Sequence, residues 1–154
     1  MGNSRGFAAI GLVRPKDLSN VGGVLRAAHC YDAAMVAIEG DRTPVQSAPN
    51  TTRAERHMPV LRGDDLLAMC PYGAIPIAVD LVDDAEALPS FKHPDQAFYI
   101  FGPEDGTLGK KHLERCSIRL MVPTRFCMNL AATVNVVLYD RMAKRLSQKA
   151  PSNV

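Results

Sequence analysis

Residues 7–13 read Phe-Ala-Ala-Ile-Gly-Leu-Val. This is an uncharged run of strand length, apolar at alternate and at successive positions. Such a run fits a strand covered on both faces, as in a parallel sheet. Arg14-Pro15-Lys16-Asp17 breaks it, Ser19 is a good N-cap, and Val21 to Cys30 reads as a helix. The alternation then recurs. Ala34 to Ile38 is a second strand, ended by Glu39-Gly40-Asp41. Residues 42–62 are polar, are interrupted by Pro44, Pro49 and Pro59, and read as loop with room for a short helix. Asp64 to Cys70 looks helical, Ile75 to Val79 is a strand, and Ala97 to Phe101 is another. The loop Gly102 to Gly109 leads to a helix from Leu108 to Cys116 and a strand from Ile118 to Val122. Met128 to Leu146 is the longest helical pattern, with Leu130, Val134, Val137 and Leu138 on one side and a basic tail. About five strands, each followed by a helix or helical turn, predict an α/β fold with a parallel sheet. Such sheets bind ligands beyond the carboxyl ends of their strands, so the informative loops follow Val13, Val79, Phe101 and Val122.

The 154 residues fit one domain spanning 1–154, with 150–154 expected to fray. Hydrophobic residues at 47% and charged residues at 22% exclude intrinsic disorder. Aromatics are 6% and Trp is absent, which disfavours a platform of stacked bases. The net charge of +2 is too mild to announce a nucleic-acid partner, so basic surface has to be sought locally. No apolar run reaches the ~18 residues a membrane helix needs. Met1 to Gly6 is short and polar, with no secretory segment after it, so the expectation is a cytoplasmic protein without a membrane partner. Cys30, Cys70, Cys116 and Cys127 form no Cys-x-x-Cys pair and read as buried thiols. His29, His57, His93 and His112 lack ligand spacing, read mostly as surface residues, and give no metal site.

Common nucleotide motifs fail. A P-loop ending at Gly109-Lys110 would need glycine where Glu104 stands and a hydroxyl where Lys111 stands. A dinucleotide fingerprint would need its glycines directly after the first strand, and only Asp41, at the end of the second, matches an NAD-binding acid. There is no G-x-S-x-G, and Cys127, between a strand and a helix, has no placed His partner.

Three separated segments carry more. They are Ser19-Asn20-Val21-Gly22-Gly23-Val24-Leu25-Arg26, then Phe101-Gly102-Pro103-Glu104, then Val122-Pro123-Thr124-Arg125-Phe126-Cys127-Met128-Asn129-Leu130. Singly, Asn20 and Asn129 would be helix caps, Arg26 a solvated helix charge, and Glu104 a turn carboxylate. In this order and spacing they resemble the three signature motifs of the SpoU/TrmH-type RNA methyltransferases of the SPOUT superfamily. The resemblance runs from about residue 7 to residue 145 and is greatest to the minimal, single-domain TrmL (YibK-like) kind.

The resemblance implies a parallel-sheet SPOUT (α/β-knot) fold with a C-terminal trefoil knot, a feature that general rules make rare. It implies S-adenosylmethionine as cofactor, a ribose 2′-hydroxyl of RNA as acceptor, and a homodimer. tRNA is the expected substrate, at the anticodon wobble nucleotide; rRNA, methylation at a base nitrogen, a non-catalytic S-adenosylmethionine- or RNA-binding module and an NAD-linked oxidoreductase are the alternatives. Arg26, Asn20, Glu104 and Asn129 match motif positions at the catalytic centre. Val79, Gly102, Val122, Cys127 and Met128 match positions lining the cofactor pocket. Two departures stand out. Cys127 replaces the usual Ser, and a thiol is the weaker hydrogen-bonding group. The stretch from Pro123 to Asn129 is shorter than in many members. Three basic groups are candidates for RNA contact: Arg42, Arg53, Arg56, His57 and Arg62; Lys110, Lys111, Arg115 and Arg119; and Arg141, Lys144, Arg145 and Lys149.

Overall fold

The computed structural model describes residues 6–43 and 56–150. In chain order it contains β1 (Phe7–Val13), α1 (Leu18–Cys30), β2 (Val36–Glu39), β3 (Val60–Gly63), β4 (Ile75–Val79), β5 (Glu86–Ala87), β6 (Gln96–Phe101), α2 (Gly109–Leu113), β7 (Ile118–Met121) and α3 (Leu130–Lys149). Among the described residues, 3₁₀ turns lie at Leu67–Met69 and Leu88–Ser90. The strands form one sheet in the order β3-β2-β1-β6-β4-β7-β5, and every pairing is parallel.

Both faces of the sheet are covered, as the apolar runs predict. The period-two alternation divides each central strand between two cores. Ala8, Ile10 and Leu12 of β1 join Ala97, Tyr99 and Phe101 of β6 beneath α1 and α3. Ala9 and Val13 join Phe98 and Ile100 on the other face, under Leu66 and Leu108. The two long helices approach closely. A Cβ at Gly23 would lie 2.8 Å from the Ala131 Cβ, so only glycine lets α1 pack onto the start of α3 here.

Several expectations need correction. The N-cap of α1 is Asp17 rather than Ser19: its carboxylate accepts from the Ser19 backbone N–H at 2.7 Å and from the Ser19 hydroxyl at 2.6 Å. The stretch read as loop ends in a strand, β3, at the sheet edge, where Leu61 and Arg62 are exposed and no apolar pattern marks it. Residues 44–55 of that reading, with Pro44, Pro49 and Arg53, lie outside the described residues. Asp64 to Cys70 forms only the 3₁₀ turn, because Pro71 stops it and Asp65 bonds the Leu67 N–H at 3.2 Å. β5 is too short to show in the sequence pattern.

The register at the right-hand edge matters most for function. Val79 of β4 and Glu86 of β5 both lie beside Leu120 of β7. Residues 80–85 therefore arch across the carboxyl end of β7, fastened by the Asp80 N–H to the Leu120 carbonyl at 3.0 Å. The chain beyond β7 then leads through residues 122–129 into α3.

Candidate active site

A cavity of about 340 Å³ opens at the carboxyl ends of β4, β6 and β7. Three loops make its wall: the 80–85 arch, the 102–109 loop and the 122–129 segment. Its lining includes all five residues expected to hold a cofactor, Val79, Gly102, Val122, Cys127 and Met128. Asn20, Glu104 and Asn129 line it too. Arg26 does not; it stands on the exposed side of α1, about one turn beyond Gly23.

Asn20, Glu104 and Asn129 come from three distant segments and form one hydrogen-bonded chain. The Glu104 carboxylate accepts from the backbone N–H groups of Lys16 at 2.8 Å and Asp17 at 3.4 Å, and from the Asn20 amide at 3.1 Å. The Asn129 amide donates to the Asn20 carbonyl at 2.7 Å. The Asn129 carbonyl accepts from Ala132 N–H at 3.2 Å and so caps α3. The direction of the chain is fixed. An ionised carboxylate only accepts, so Asn20 turns its NH₂ to Glu104 and its oxygen to Asn129. Glu104 thus clamps the 102–109 loop to the start of α1, and Asn129 ties that corner to α3.

The loops themselves are pinned by side chains. Asp80, absent from the sequence expectations, accepts from the Leu81 N–H at 2.8 Å and the Leu108 N–H at 3.1 Å. A carboxylate immediately after a strand's carboxyl end was the available signal. Gly102 is required by the same closure, since a Cβ there would sit 3.0 Å from the Leu108 nitrogen. Thr124 donates to the Phe126 carbonyl at 2.7 Å, tightening the turn that carries Cys127. Cys127 and Cys30 are exposed thiols, contrary to the reading of all four cysteines as buried; Cys70 and Cys116 are half-buried, and burial pushes the Cys116 thiol up to about 11.

The histidines also differ from expectation. His112 is buried against Glu39, and the His93 side chain, 3% exposed, lies between Tyr99 and Asp140. Much of the basic surface is committed internally. Arg42 pairs with Asp105 at 2.8 Å, holding that carboxyl below its usual range. Arg115 pairs with Asp65 and Arg119 with Asp84. Arg62 donates to the Gly40 and Thr43 carbonyls. Arg141, buried, donates to the carbonyls of Phe7, Pro94 and Asp95, and Lys144 to those of Leu88 and Phe91. Arg56, Lys111 and Lys149 stand exposed. Among the described residues no group of three or more His, Cys, Asp or Glu could hold a metal, and no helix is long and apolar enough to cross a membrane.

The family model of the SpoU rRNA methylase family matches residues 8–139. The chain belongs to that family. Solved SpoU-type structures share the fold. The SpoU methyltransferase AviRb from Streptomyces viridochromogenes, in complex with AdoMet, superposes with a TM-score of 0.80 at 18% identity over 93% of this chain and 59% of its own. An rRNA methyltransferase from Sinorhizobium meliloti gives 0.80 at 16% identity, over 91% of this chain and 57% of that one. A structure describing 2-OH methylation of C/U34 on tRNA gives 0.73 at 24% identity and covers 91% of both chains. The chain thus spans about three-fifths of the first two and nearly all of the third. Comparison with curated protein sequences returned no significant match. The three segments singled out in the sequence meet at the cavity through Asn20, Glu104 and Asn129.

Proposed function

We propose that this SpoU-family chain is an S-adenosylmethionine-dependent RNA methyltransferase acting on a ribose 2′-hydroxyl, with tRNA as substrate and the anticodon wobble nucleotide as target. The observation that carries the reading is the convergence of Asn20, Glu104 and Asn129 on the rim of one cavity. The tRNA assignment rests on the likeness, over 91% of both chains, to the structure describing 2-OH methylation of C/U34 on tRNA.

The cavity fits the cofactor. Its volume, about 340 Å³, lies in the range of small-molecule sites, and backbone at Gly102 and Val79 with apolar Val122, Met128 and Leu130 suits an adenosine. When bound, S-adenosylmethionine supplies a methyl group on a sulfonium. The chain's own task is to hold the acceptor in line and handle charge on the ribose oxygen. Arg26 clamps the phosphate beside the target ribose and stabilises the alkoxide that develops as the hydroxyl proton passes to solvent. A guanidinium stays protonated, so this role suits it better than that of a base. Asn20, Glu104 and Asn129 hold the floor on which the ribose sits. We further propose a trefoil knot in which the chain passes beneath the 80–85 arch, and a homodimer formed through α3.

The test is methyl transfer from labelled S-adenosylmethionine to RNA from a strain lacking this protein, separated into tRNA and rRNA and digested to nucleosides. A 2′-O-methyl nucleoside in tRNA, lost in Arg26→Ala while cofactor affinity stays within about two-fold, is the expected result. Label in rRNA would retain the chemistry and overturn the substrate. Cofactor binding without label in either fraction would leave a binding module.

A further inference from the structure

Outside the cavity, on the face of the sheet opposite α1 and α3, lies a buried ionisable pair. Glu39 closes β2 and His112 lies in α2, and each is 6% exposed. The imidazole Nε2 sits 3.1 and 3.0 Å from the two carboxyl oxygens. Its Nδ1 sits 3.0 Å from the Leu108 carbonyl. Glu39 also accepts from the Leu66 N–H at 2.9 Å. A carbonyl only accepts, so Nδ1 carries a proton. Nε2 then faces both carboxyl oxygens of Glu39, and the two contacts lock the ring in one orientation. Burying such a pair is not in itself a stabilising choice. What it accomplishes is orientation.

Leu108 is the hinge on which this orientation acts. Its carbonyl is held by His112 and its N–H by Asp80 of the arch. Its side chain is buried, and its nitrogen fills the space a Cβ of Gly102 would need. Gly102, Pro103, Glu104 and Gly106, all lining the cavity, lie on the chain just before it. We propose that Glu39 and His112 are positioning residues for cofactor binding: the pair fixes Leu108, and Leu108 fixes the 102–109 wall of the pocket. This rests on the cavity being the S-adenosylmethionine site.

The test compares two mild variants by calorimetric Kd for S-adenosylmethionine, by KM and kcat in methyl transfer, and by Tm. Glu39→Gln keeps both links, because its amide donates to Nε2 and its oxygen accepts from Leu66; wild-type affinity is expected. His112→Gln keeps a partner for Glu39 but releases Leu108. It is expected to raise Kd and KM for S-adenosylmethionine about ten-fold with kcat nearly unchanged, as for a displaced supporting side chain. Tyr99→Phe, in the opposite core, should lower Tm and leave KM alone. A His112→Gln enzyme with wild-type Kd and KM, or a Glu39→Gln enzyme that binds as weakly as His112→Gln, would overturn the inference. Thr133→Phe, which fills the cavity, separates this from failure of the underlying reading. If Thr133→Phe leaves S-adenosylmethionine binding intact, the cavity assignment itself is wrong.

Discussion

Asn129 does two jobs with one side chain, and the two can be separated. Its oxygen caps α3, and its NH₂ reaches Asn20. Asn129→Ala removes both and should cost about 0.5–2 kcal/mol, the usual loss of an N-cap, seen as a lower Tm. Asn129→Asp keeps the cap but cannot donate to Asn20. Its Tm should stay near wild type while kcat for methyl transfer falls; equal activity in Asn129→Asp and wild type would show that the link to Asn20 is dispensable. None of this polarity was visible at the residue in isolation. Asn20, Glu104 and Asn129 each had an ordinary explanation as a cap or turn residue, and only their order along the chain pointed to a shared site.

At the scale of elements, the docking of α3 depends on polar groups that a helical pattern cannot reveal. Tyr99 donates to Nδ1 of His93 and accepts from Arg141, and His93 Nε2–H donates to Asp140 at 2.7 Å. Burial pushes the Tyr99 phenol up to about 12 despite the nearby Arg141 charge. An unfolded tyrosine ionises near 10, so stability should fall as pH rises from about 10 to 12. Burial also lowers the His93 value, outweighing the opposing pull of Asp140. The folded state therefore keeps His93 neutral where an unfolded histidine binds a proton. Stability from this group is present above the unfolded value of 6.5 and is lost as pH falls below it. Tm against pH should show both limbs. Tyr99→Phe should flatten the alkaline one, and an unchanged alkaline slope would count against this account.

At the scale of the whole molecule, charge and apolar surface are distributed differently from what a residue count implies. Arg141 and Lys144 bind backbone carbonyls of their own fold, and Arg115 and Arg119 pair with Asp65 and Asp84. RNA affinity should fall with salt, but with a slope reporting fewer phosphates than the basic clusters contain. Lys111→Gln should reduce that slope. Lys144→Gln should lower Tm and leave the slope unchanged, as read by anisotropy titrations across salt; a reduced slope would return Lys144 to the RNA surface. The outer side of α3 presents Val136, Tyr139, Met142 and Leu146, the last 60% exposed. A stripe of this kind on a surface helix fits a subunit contact. Tyr139→Glu with Leu146→Glu should halve the mass measured by sedimentation if that stripe forms the homodimer.

The amino-acid sequence by itself determined the alternation of strand and helix, the parallel sheet, and the three segments whose order and spacing resemble the SpoU/TrmH motifs. These are local or periodic properties: apolar runs, caps, breakers and fixed motif spacing. It also marked the cavity lining at Val79, Gly102, Val122, Cys127 and Met128. Tertiary structure alone decided the rest. β3 and β5 are strands because neighbours pair with them, not because their residues demand it. Asp80 and Glu39 gain their roles from backbone groups far away in the chain, at Leu108 and Leu66, and His112, whose Leu108 partner is one turn back, gains its role from distant Glu39. Arg141 of α3 turned inward to the carbonyls of Phe7, Pro94 and Asp95, at the amino ends of the central strands β1 and β6. Such pairings depend on which distant groups folding brings within hydrogen-bond reach, and no local pattern encodes that distance.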